Sequence, residues 1–331
     1  MLLDPDLNVP PYLKVSSVRV GIDDREGMLR WLAQGYGASM SYLSKEERLR
    51  KVNDTSLLLR DSKSVMVFLL NYRRANGSRS GYGRIATYAG FRDYHDFFKR
   101  MIDCFMIENG LFSREFRSYV DTGPILERGL AFKSGLGWIG RNSMLINPSF
   151  GSFTFLGTAV SDERLDSSFI PSPGSCGSCT KCIDSCPTGA INPDRTVDSN
   201  LCISYHTIEN RGVIPRHISE MMGDMVFGCD ICNEVCPWNR EIKGSTFEPV
   251  RESQYFNRLK LEEIAFIESE AFNRTYKESA IRRSTFSGFA RNAVVALFNE
   301  GRTDIVKEVS KMFDDIRKDQ ALLLLNEDQH Q

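Results

Sequence analysis

The sequence predicts an α+β protein with three parts: an N-terminal α/β domain, a cysteine-rich module and a short helical C-terminal segment. Over residues 1–165, short apolar runs typical of strands alternate with amphipathic segments typical of helices. Residues 166–245 contain eight of the nine cysteines among Pro, Gly and Ser, which indicates a segment that folds around metal. Residues 246–331 show helical periodicity.

Within the α/β domain, changes in apolar spacing separate strands from helices. The run 64–70 is continuously apolar, which predicts a strand buried on both faces. Residues 93–109 place Phe97, Ile102 and Phe105 on one helical face, and Gly110 ends that helix. We also predict strands at 116–121 and 153–160, and helices at 25–34, from 122–124 to about 135–137, and at 261–266, 289–298 and 305–313.

Composition and charge exclude several classes of protein. Hydrophobic residues make up 41% and charged residues 26%, which is ordinary for a globular chain. No apolar run reaches the length of a membrane span, and the first residues lack the order of a secretory signal, so we expect a cytoplasmic protein without a membrane partner. The net charge is -1, so binding to nucleic acid would need a local basic patch.

The cysteine spacing predicts two [4Fe-4S] clusters. Two C-x2-C steps followed by C-x3-C-P form the run that bacterial ferredoxins use, in which the fourth cysteine binds the other cluster. A second set with its own Cys-Pro supplies four more thiolates. The crossing rule then assigns Cys176, Cys179, Cys182 and Cys236 to cluster 1, and Cys186, Cys202, Cys229 and Cys232 to cluster 2.

Two alternatives to redox-active clusters remain open from spacing alone. Two structural zinc sites with four cysteines each would also use C-x2-C pairs, although zinc knuckles are normally separated by a longer loop. Clusters with a purely structural role are the other alternative. The ninth cysteine, Cys104, lies on the predicted inner face of a helix, so we expect it in the core.

Several blocks outside the cysteine runs resemble epoxyqueuosine reductases, the cobalamin-dependent family of the last step of queuosine formation in tRNA. The two-cluster run alone would not distinguish this family from other ferredoxin-like proteins, whereas the DTGP and GLGWIG blocks do. The matching blocks are GRIATY at 83–88, RDYH at 92–95, VDTGP at 120–124, LER at 126–128, GLGWIGRN at 135–142, CISY at 202–205, TIE at 207–209, FGCDIC at 227–232 and CPWN at 236–239.

The resemblance implies a corrinoid in the first domain, reduced by the two clusters, and a tRNA substrate with an epoxide on its wobble base. The reaction takes up two electrons and two protons and releases water. Proteins that bind cobalt through histidine use Asp-x-His-x-x-Gly, whereas Phe98 stands where that pattern after Asp93 and His95 requires Gly. We therefore expect base-off cobalamin without a protein ligand. We also expect an external low-potential electron donor and a monomeric enzyme.

The family pattern also implies roles for individual side chains. Asp121 is expected to be the catalytic proton donor and to contact the cofactor, because a carboxyl group in a dry pocket stays protonated near neutral pH. The alternative for Asp121 is a cap of the following helix. Further corrinoid contacts are carried over by position, with exposed charge or a core histidine as the alternative for the first two: Arg84, His95, Arg141, Asn142, Leu145 and Thr158.

A basic group near the C-terminus is the predicted contact with tRNA, and the alternative is a solvated helix face. It consists of Lys277, Arg282, Arg283 and Arg291. The segment after residue 250 is too short for the helical-repeat extension of longer family members, so we expect a compact mode of tRNA recognition. Two other functions use similar cofactors. A plain electron carrier would need only residues 166–245, and a reductive dehalogenase usually carries an export signal.

Overall fold

The structure is a computed structural model, and it describes residues 9–20, 25–74, 80–165, 174–251, 255–256 and 259–326. Eight strands are present in these ranges: β1 Leu13–Arg19, β2 Ser64–Asn71, β3 Arg84–Ile85, β4 Phe116–Tyr119, β5 Trp138–Ile139, β6 Leu145–Ile146, β7 Thr154–Ser161 and β8 Met225–Phe227.

Short helices outnumber strands. The α-helices of the described ranges are α1 Arg25–Ala33, α2 Glu46–Asn53, α3 Tyr94–Glu108, α4 Glu127–Lys133, α5 Lys181–Asp184, α6 Ile203–Ile208, α7 Arg216–Ser219, α8 Ile231–Glu234, α9 Glu248–Arg251, α10 Leu261–Ala265, α11 Ser269–Thr275, α12 Thr285–Asn299, α13 Thr303–Met312 and α14 Ile316–Leu325. Five 3-10 turns accompany them, at Ser41–Ser44, Thr55–Leu57, Thr87–Gly90, Pro237–Asn239 and Ala280–Ser284.

The N-terminal region is built on a four-stranded sheet in the order β1-β2-β7-β4, with every neighbouring pair antiparallel. Every residue of β2 is buried, as the continuous apolar run predicts. Side chains on one face of β2, including Phe68, pack with α3, and those on the other face, including Val67 and Leu69, pack with α4 and the turn after it. The sheet is therefore covered on both sides, which is why its central strand does not alternate.

Helix α3 lies close against β7 because the facing position is a glycine. A Cβ atom at Gly157 would approach Cδ1 of Ile102 to 2.5 Å. The predicted inner face of α3 is confirmed for Ile102 and Phe105, which are buried. Cys104 is exposed, so its predicted place in the core is wrong; the α3 surface that contacts the sheet does not include it.

The cysteine-rich module and the C-terminal helices share one hydrophobic core. It includes Ile203 and Phe227 of the module, most of α12, and residues of α10, α13 and α14. Ile85 joins this core because β3 pairs in parallel with β8. The helices predicted at 261–266, 289–298 and 305–313 are present as α10, α12 and α13, although α12 starts four residues earlier. None of the described helices is long and apolar enough to cross a bilayer.

Candidate active site and iron-sulfur module

A cavity of about 1040 Å³ lies where the three regions of the chain meet. Its walls come from α1, from the 3-10 turn Ser41–Ser44, from the loop between β4 and α4, and from two stretches of the cysteine module. Arg283 closes the wall from the C-terminal side. Pockets for drug-sized ligands span about 300–1,000 Å³, so this cavity suits a large ligand.

Four of the cysteines line this cavity together, namely Cys186, Cys202, Cys229 and Cys232. Burial, together with the charges of Cys202 and Cys186, raises the pKa of Cys229 to about 12. A thiol with such a pKa stays protonated at neutral pH unless a metal ion binds it, since coordination removes the proton. Because the four thiols line one space, a metal cluster bound at this wall would hold them as thiolates.

The other four cysteines lie away from the cavity. Cys236 is buried against Trp138 and Ile146, and Cys176 packs against the same group. Burial and then the charge of Cys176 raise the pKa of Cys182, and Cys236 contributes to the same shift. Within the described residues, three or more His, Cys, Asp or Glu side chains nowhere converge on one ion. The cysteines of a four-iron cubane each bind a different iron.

Asp121 projects into the cavity from the loop after β4. Its side chain is 63% exposed, and its backbone has φ +59°, a left-handed conformation that Asp tolerates better than most residues. The backbone N–H of Asp121 donates to Oε1 of Glu127 at 2.9 Å. Helix α4 begins only at Glu127, with Leu126 at its N-cap, so the capping alternative for Asp121 is wrong.

The titratable groups around Asp121 are coupled. Burial alone would lower the pKa of His95, but hydrogen bonds to Asp121 and Asp93 outweigh it and raise that pKa to about 9. The same contact with His95 lowers the pKa of Asp121. Burial and the charge of Asp121 raise the pKa of Glu127 to about 8. In this arrangement Asp121 is ionised and His95 and Glu127 hold protons, contrary to the expectation of a protonated Asp121.

Of the other predicted corrinoid contacts, Asn142 lines the cavity. Its Nδ2 donates to Oδ1 of Asn233 at 3.1 Å, which ties the cavity wall to the cysteine module. His95 reaches the cavity only through its contact with Asp121. The remaining four predicted contacts do not line the cavity.

Each of these four side chains either contacts a residue outside the cavity or is buried outside it. Arg84 forms an ion pair with Asp224 at 3.1 Å, because β3 pairs with β8. Arg141 donates to the carbonyl of Gly177. Leu145 belongs to the core beneath the sheet, and Thr158 is fully buried in β7. None of the four lines the cavity in this structure, and their contact with a cofactor stays a prediction.

The predicted basic patch is smaller than expected. Arg291 is only 1% exposed, and its guanidinium donates to the backbone carbonyls of His206, Asn210 and Gly212, so it belongs to the core of α12. Lys277 and Arg282 are exposed. Arg283 pairs with Glu209 at 2.5 Å and lines the cavity.

Sequence reasoning missed several side chains of the cavity wall. Tyr42 lies beneath Arg283, with the guanidinium carbon 5.7 Å from the ring centroid. Trp31 of α1 also lines the cavity, which explains an apolar stripe on a helix that has no buried residue. Glu127 and Arg128 lie within a matching block, and that block is the available signal for them.

Family comparisons agree with this arrangement. The description "4Fe-4S double cluster binding domain" matches residues 175–239, and "Epoxyqueuosine reductase QueG, DUF1730" matches residues 53–122. Together with the cavity, the first match defines an iron-sulfur oxidoreductase with two clusters. It favours iron-sulfur clusters over the alternative of two structural zinc sites. The second match ends next to Asp121, the residue that projects into the cavity.

Similar proteins are curated as epoxyqueuosine reductases. Those of Cyclobacterium marinum, Synechocystis sp. and Escherichia coli are 39%, 38% and 36% identical over 79%, 80% and 87% of this chain, and over 84%, 91% and 79% of their own lengths. The chain therefore belongs to the epoxyqueuosine reductase family.

Solved structures of this family share the fold. An epoxyqueuosine reductase crystallised with a tRNA-Tyr epoxyqueuosine-modified stem loop has a TM-score of 0.83 at 23% identity and covers 93% of this chain and 84% of its own. The enzyme of Streptococcus thermophilus has a TM-score of 0.81 at 22% identity and covers 94% and 85%. The predicted α+β fold class is confirmed.

Proposed function

We propose that this protein reduces epoxyqueuosine to queuosine at the wobble position of tRNA, using cobalamin and two [4Fe-4S] clusters. One observation carries the proposal: a single cavity is lined both by Asp121 and by four cysteines, Cys186, Cys202, Cys229 and Cys232. An acid-base group and a redox centre thus meet in one space. A plain electron carrier would not need this arrangement.

The size and the lining of the cavity support a bound corrinoid. Its volume of about 1040 Å³ exceeds that of most small-molecule pockets. Within the described part of the chain no histidine lines it, which fits cobalamin bound base-off without a protein ligand to cobalt. When bound, the corrinoid would supply the reducing centre for the epoxide. Asp121, Asn142 and Tyr88 would surround it.

The clusters are proposed to form by crossed ligation. Cys176, Cys179, Cys182 and Cys236 would hold cluster 1, and Cys186, Cys202, Cys229 and Cys232 cluster 2. The second set lines the cavity and the first does not, so cluster 2 would be held beside a ligand in the cavity. The two clusters would supply electrons taken from an external low-potential donor. In this scheme residues 1–165 form the catalytic domain, 166–245 the two-cluster module and 246–331 the helical segment.

The chain's own residues handle the protons and the substrate. Asp121 would give a proton to the departing epoxide oxygen, and Glu127 would hold the Asp121 loop through the backbone N–H of Asp121. Lys277, Arg282 and Arg283 would contact tRNA beside the cavity, since Arg283 lines the cavity and the other two are exposed nearby in sequence. We expect the enzyme to act as a monomer in the cytoplasm.

The test is Asp121→Asn, assayed for conversion of epoxyqueuosine to queuosine in tRNA under strong reductant. Asn keeps the shape and can adopt the same backbone conformation, but it cannot deliver a proton. We expect normal iron and cobalt content with turnover lower by about 10² to 10⁴ fold. Asp61→Asn is the matched control, because Asp61 also has φ +59° and does not line the cavity.

Three other outcomes are informative. Near-normal conversion by Asp121→Asn would refute its role as proton donor. Loss of cobalt together with activity would instead make Asp121 a residue of the cofactor pocket. Zinc in place of iron in the untreated protein would overturn the proposed function as a whole.

A further inference from the structure

His95 is held between two carboxylates. Its Nδ1 lies 2.5 Å from Oδ1 of Asp93, and its Nε2 lies 3.4 Å from Oδ2 of Asp121. The backbone fixes one end of this arrangement, since Asp93 is the N-cap of α3 and accepts from the backbone N–H of His95. The contact to Asp121 is at the long end for a hydrogen bond, as catalytic contacts often are before substrate binds.

The partners determine the protonation of the ring. An ionised carboxylate can only accept hydrogen bonds, so both ring nitrogens of His95 must donate, and the ring is an imidazolium. Tyr94 stacks on this ring, with ring centroids 4.1 Å apart, and fixes its plane. The side chain is 29% exposed, so water can reach it.

Other ionisable groups from several elements surround Asp93, His95 and Asp121. Arg282 lies within electrostatic reach of Asp93, and Arg283 within reach of Asp121. The hydroxyl of Tyr94 donates a hydrogen bond to the Asp121 carboxylate, which lowers the pKa of Asp121 further. From the cavity side, further groups act on Asp121 or are acted on by it: Tyr88, Glu127 and Arg128. Burial is the largest single influence on His95 and lowers its pKa, but the contacts with Asp93 and Asp121 together outweigh it.

We propose that His95 is the positioning residue that orients the Asp121 carboxylate and restores its proton during turnover. The proton on Nε2 moves to Oδ2 of Asp121, which gives neutral imidazole and a carboxylic acid. The acid then gives this proton to the departing oxygen and becomes a carboxylate again. His95 regains a proton from water on its exposed side, while Asp93 holds the Nδ1–H throughout.

This inference rests on the proposed function, because it assigns to Asp121 the delivery of the proton. It also removes a difficulty in that assignment. Asp121 is ionised in the free site, so a proton donor at this position needs a source that remains charged near neutral pH. His95 is such a source, since its pKa is about 9.

The decisive experiment is the pH profile of kcat for His95→Gln in the cluster- and cobalamin-loaded enzyme. Gln can still donate a hydrogen bond to Asp121 but carries no proton to transfer. In the unmodified protein kcat should fall only as pH rises through about 9. In the variant, Asp121 must take its proton from water, so this alkaline limb should move acidward by at least ~2 pH units.

Two features separate this role from a structural one. At pH 8 the variant should lose about 10- to 100-fold in kcat, and lowering the pH to 6 should restore most of it. A structural role would lower kcat by the same factor at every pH, and that result would overturn the inference. His217→Gln is the control, because His217 is exposed on α7 and does not line the cavity; its profile should match that of the unmodified protein.

A second measurement does not depend on activity. The protein is labelled with ¹³C-histidine, loaded with its clusters and followed by NMR as the pH is varied. One histidine should titrate near pH 9 and should be absent from the His95→Gln spectrum. Asp121→Asn should lower its pKa, because the hydrogen bond to a charged acceptor is lost. An unchanged pKa in that variant would overturn the inference.

The two experiments also distinguish failures. If Asp121→Asn keeps its turnover, the proposed role of Asp121 fails, whatever the titration of His95. If Asp121→Asn loses turnover but His95→Gln keeps the pH profile of the unmodified protein, Asp121 draws its proton from elsewhere and only the inference about His95 fails.

Discussion

The backbone N–H of Asp121 donates to Oε1 of Glu127 at 2.9 Å, which ties the cavity loop to the first turn of α4. The bond spans six residues and holds Asp121 in its left-handed conformation. Without it, the loop between β4 and α4 would lose a fixed point at the residue that enters the cavity. The position of Asp121 therefore depends on the side chain of Glu127, which follows it by six residues in the sequence.

Glu127→Ala should lower turnover, whereas Glu127→Gln should largely preserve it. Gln retains an oxygen that can accept from the backbone N–H of Asp121, and Ala does not. A hydrogen bond of this kind contributes about 1 kcal/mol, so we expect kcat for Ala to be roughly fivefold to tenfold below that for Gln. The measurement is queuosine formation with matched iron and cobalt content. Equal rates for the two variants would show that the bond does not position Asp121.

Glu127 should also make stability depend on pH. Its pKa is raised from 4.5 to about 8 by burial and by the charge of Asp121. Between these pH values the folded state keeps a proton that the unfolded chain releases, so stability falls as pH rises through this window. The side chain of Glu127→Gln does not titrate, so this variant does not lose stability as pH rises through the window. Its Tm relative to the unmodified protein should therefore increase from pH 5 to pH 9, whereas the exposed Glu108→Gln should show no such trend.

Local sequence patterns predict the strands and helices of the fold better than they predict which of these elements pair with each other. The apolar run of β2 and the inner face of α3 are visible in the sequence, because burial on two faces and helical spacing are local signals. The position of Arg84 is not visible there, because its partner is distant in the chain. Arg84 meets Asp224 only through the pairing of β3 with β8, which joins segments 140 residues apart.

Within the candidate site, local signals are again visible in the sequence and long-range contacts are not. Cysteine spacing follows from the geometry of a cluster, so the amino-acid sequence is sufficient to predict a two-cluster module. The lowered pKa of Asp121 cannot be predicted in this way, since its largest cause is the hydrogen bond with His95, which comes from another element. Arg291 likewise resembles a surface charge in the sequence, because the backbone carbonyls that accept from it lie about 80 residues earlier.

Arg291→Met should destabilise the protein strongly. The substitution preserves much of the apolar stem but leaves the carbonyls of His206, Asn210 and Gly212 without their donor inside the core. Buried acceptors without a partner cost about 1–3 kcal/mol each, so we expect a loss of about 3 kcal/mol or more in the free energy of unfolding. Urea unfolding under anaerobic conditions measures it. Arg302→Met removes an exposed ion pair with Glu262 and should cost much less stability, because solvent screens such pairs.

Cys236→Ser should damage cluster 1 and spare cluster 2. Cys236 is far from Cys176 in sequence, yet both belong to the group around Trp138. We expect iron to fall from about eight to about four per chain, with the remaining signal in electron paramagnetic resonance assignable to one cluster. Cys104→Ser, which changes an exposed cysteine outside the module, should leave iron unchanged. Loss confined to cluster 2 would contradict the crossed ligation.

The last prediction concerns tRNA, for which the double variant Lys277→Glu and Arg282→Glu is the appropriate change. Arg283 is left in place because it lines the cavity, so its replacement would confuse binding with catalysis. Each phosphate contact contributes about 0.7–0.9 to the slope of log K against log salt, and the variant should lower this slope by about 1.5. Affinity at low salt should fall, while iron and cobalt content stay unchanged.

The control for this double variant is Lys307→Glu, an exposed charge on α13. Lys307→Glu lowers the net charge by two units, from -1 to -3, and the double variant lowers it by four, so the two effects are compared per unit of charge. If Lys307→Glu weakens tRNA binding as much per charge as the double variant, the effect is a general one and the patch beside the cavity is not the contact. If the double variant alone weakens binding and flattens the salt dependence, tRNA contacts the surface next to Arg283, which lines the same cavity as Asp121.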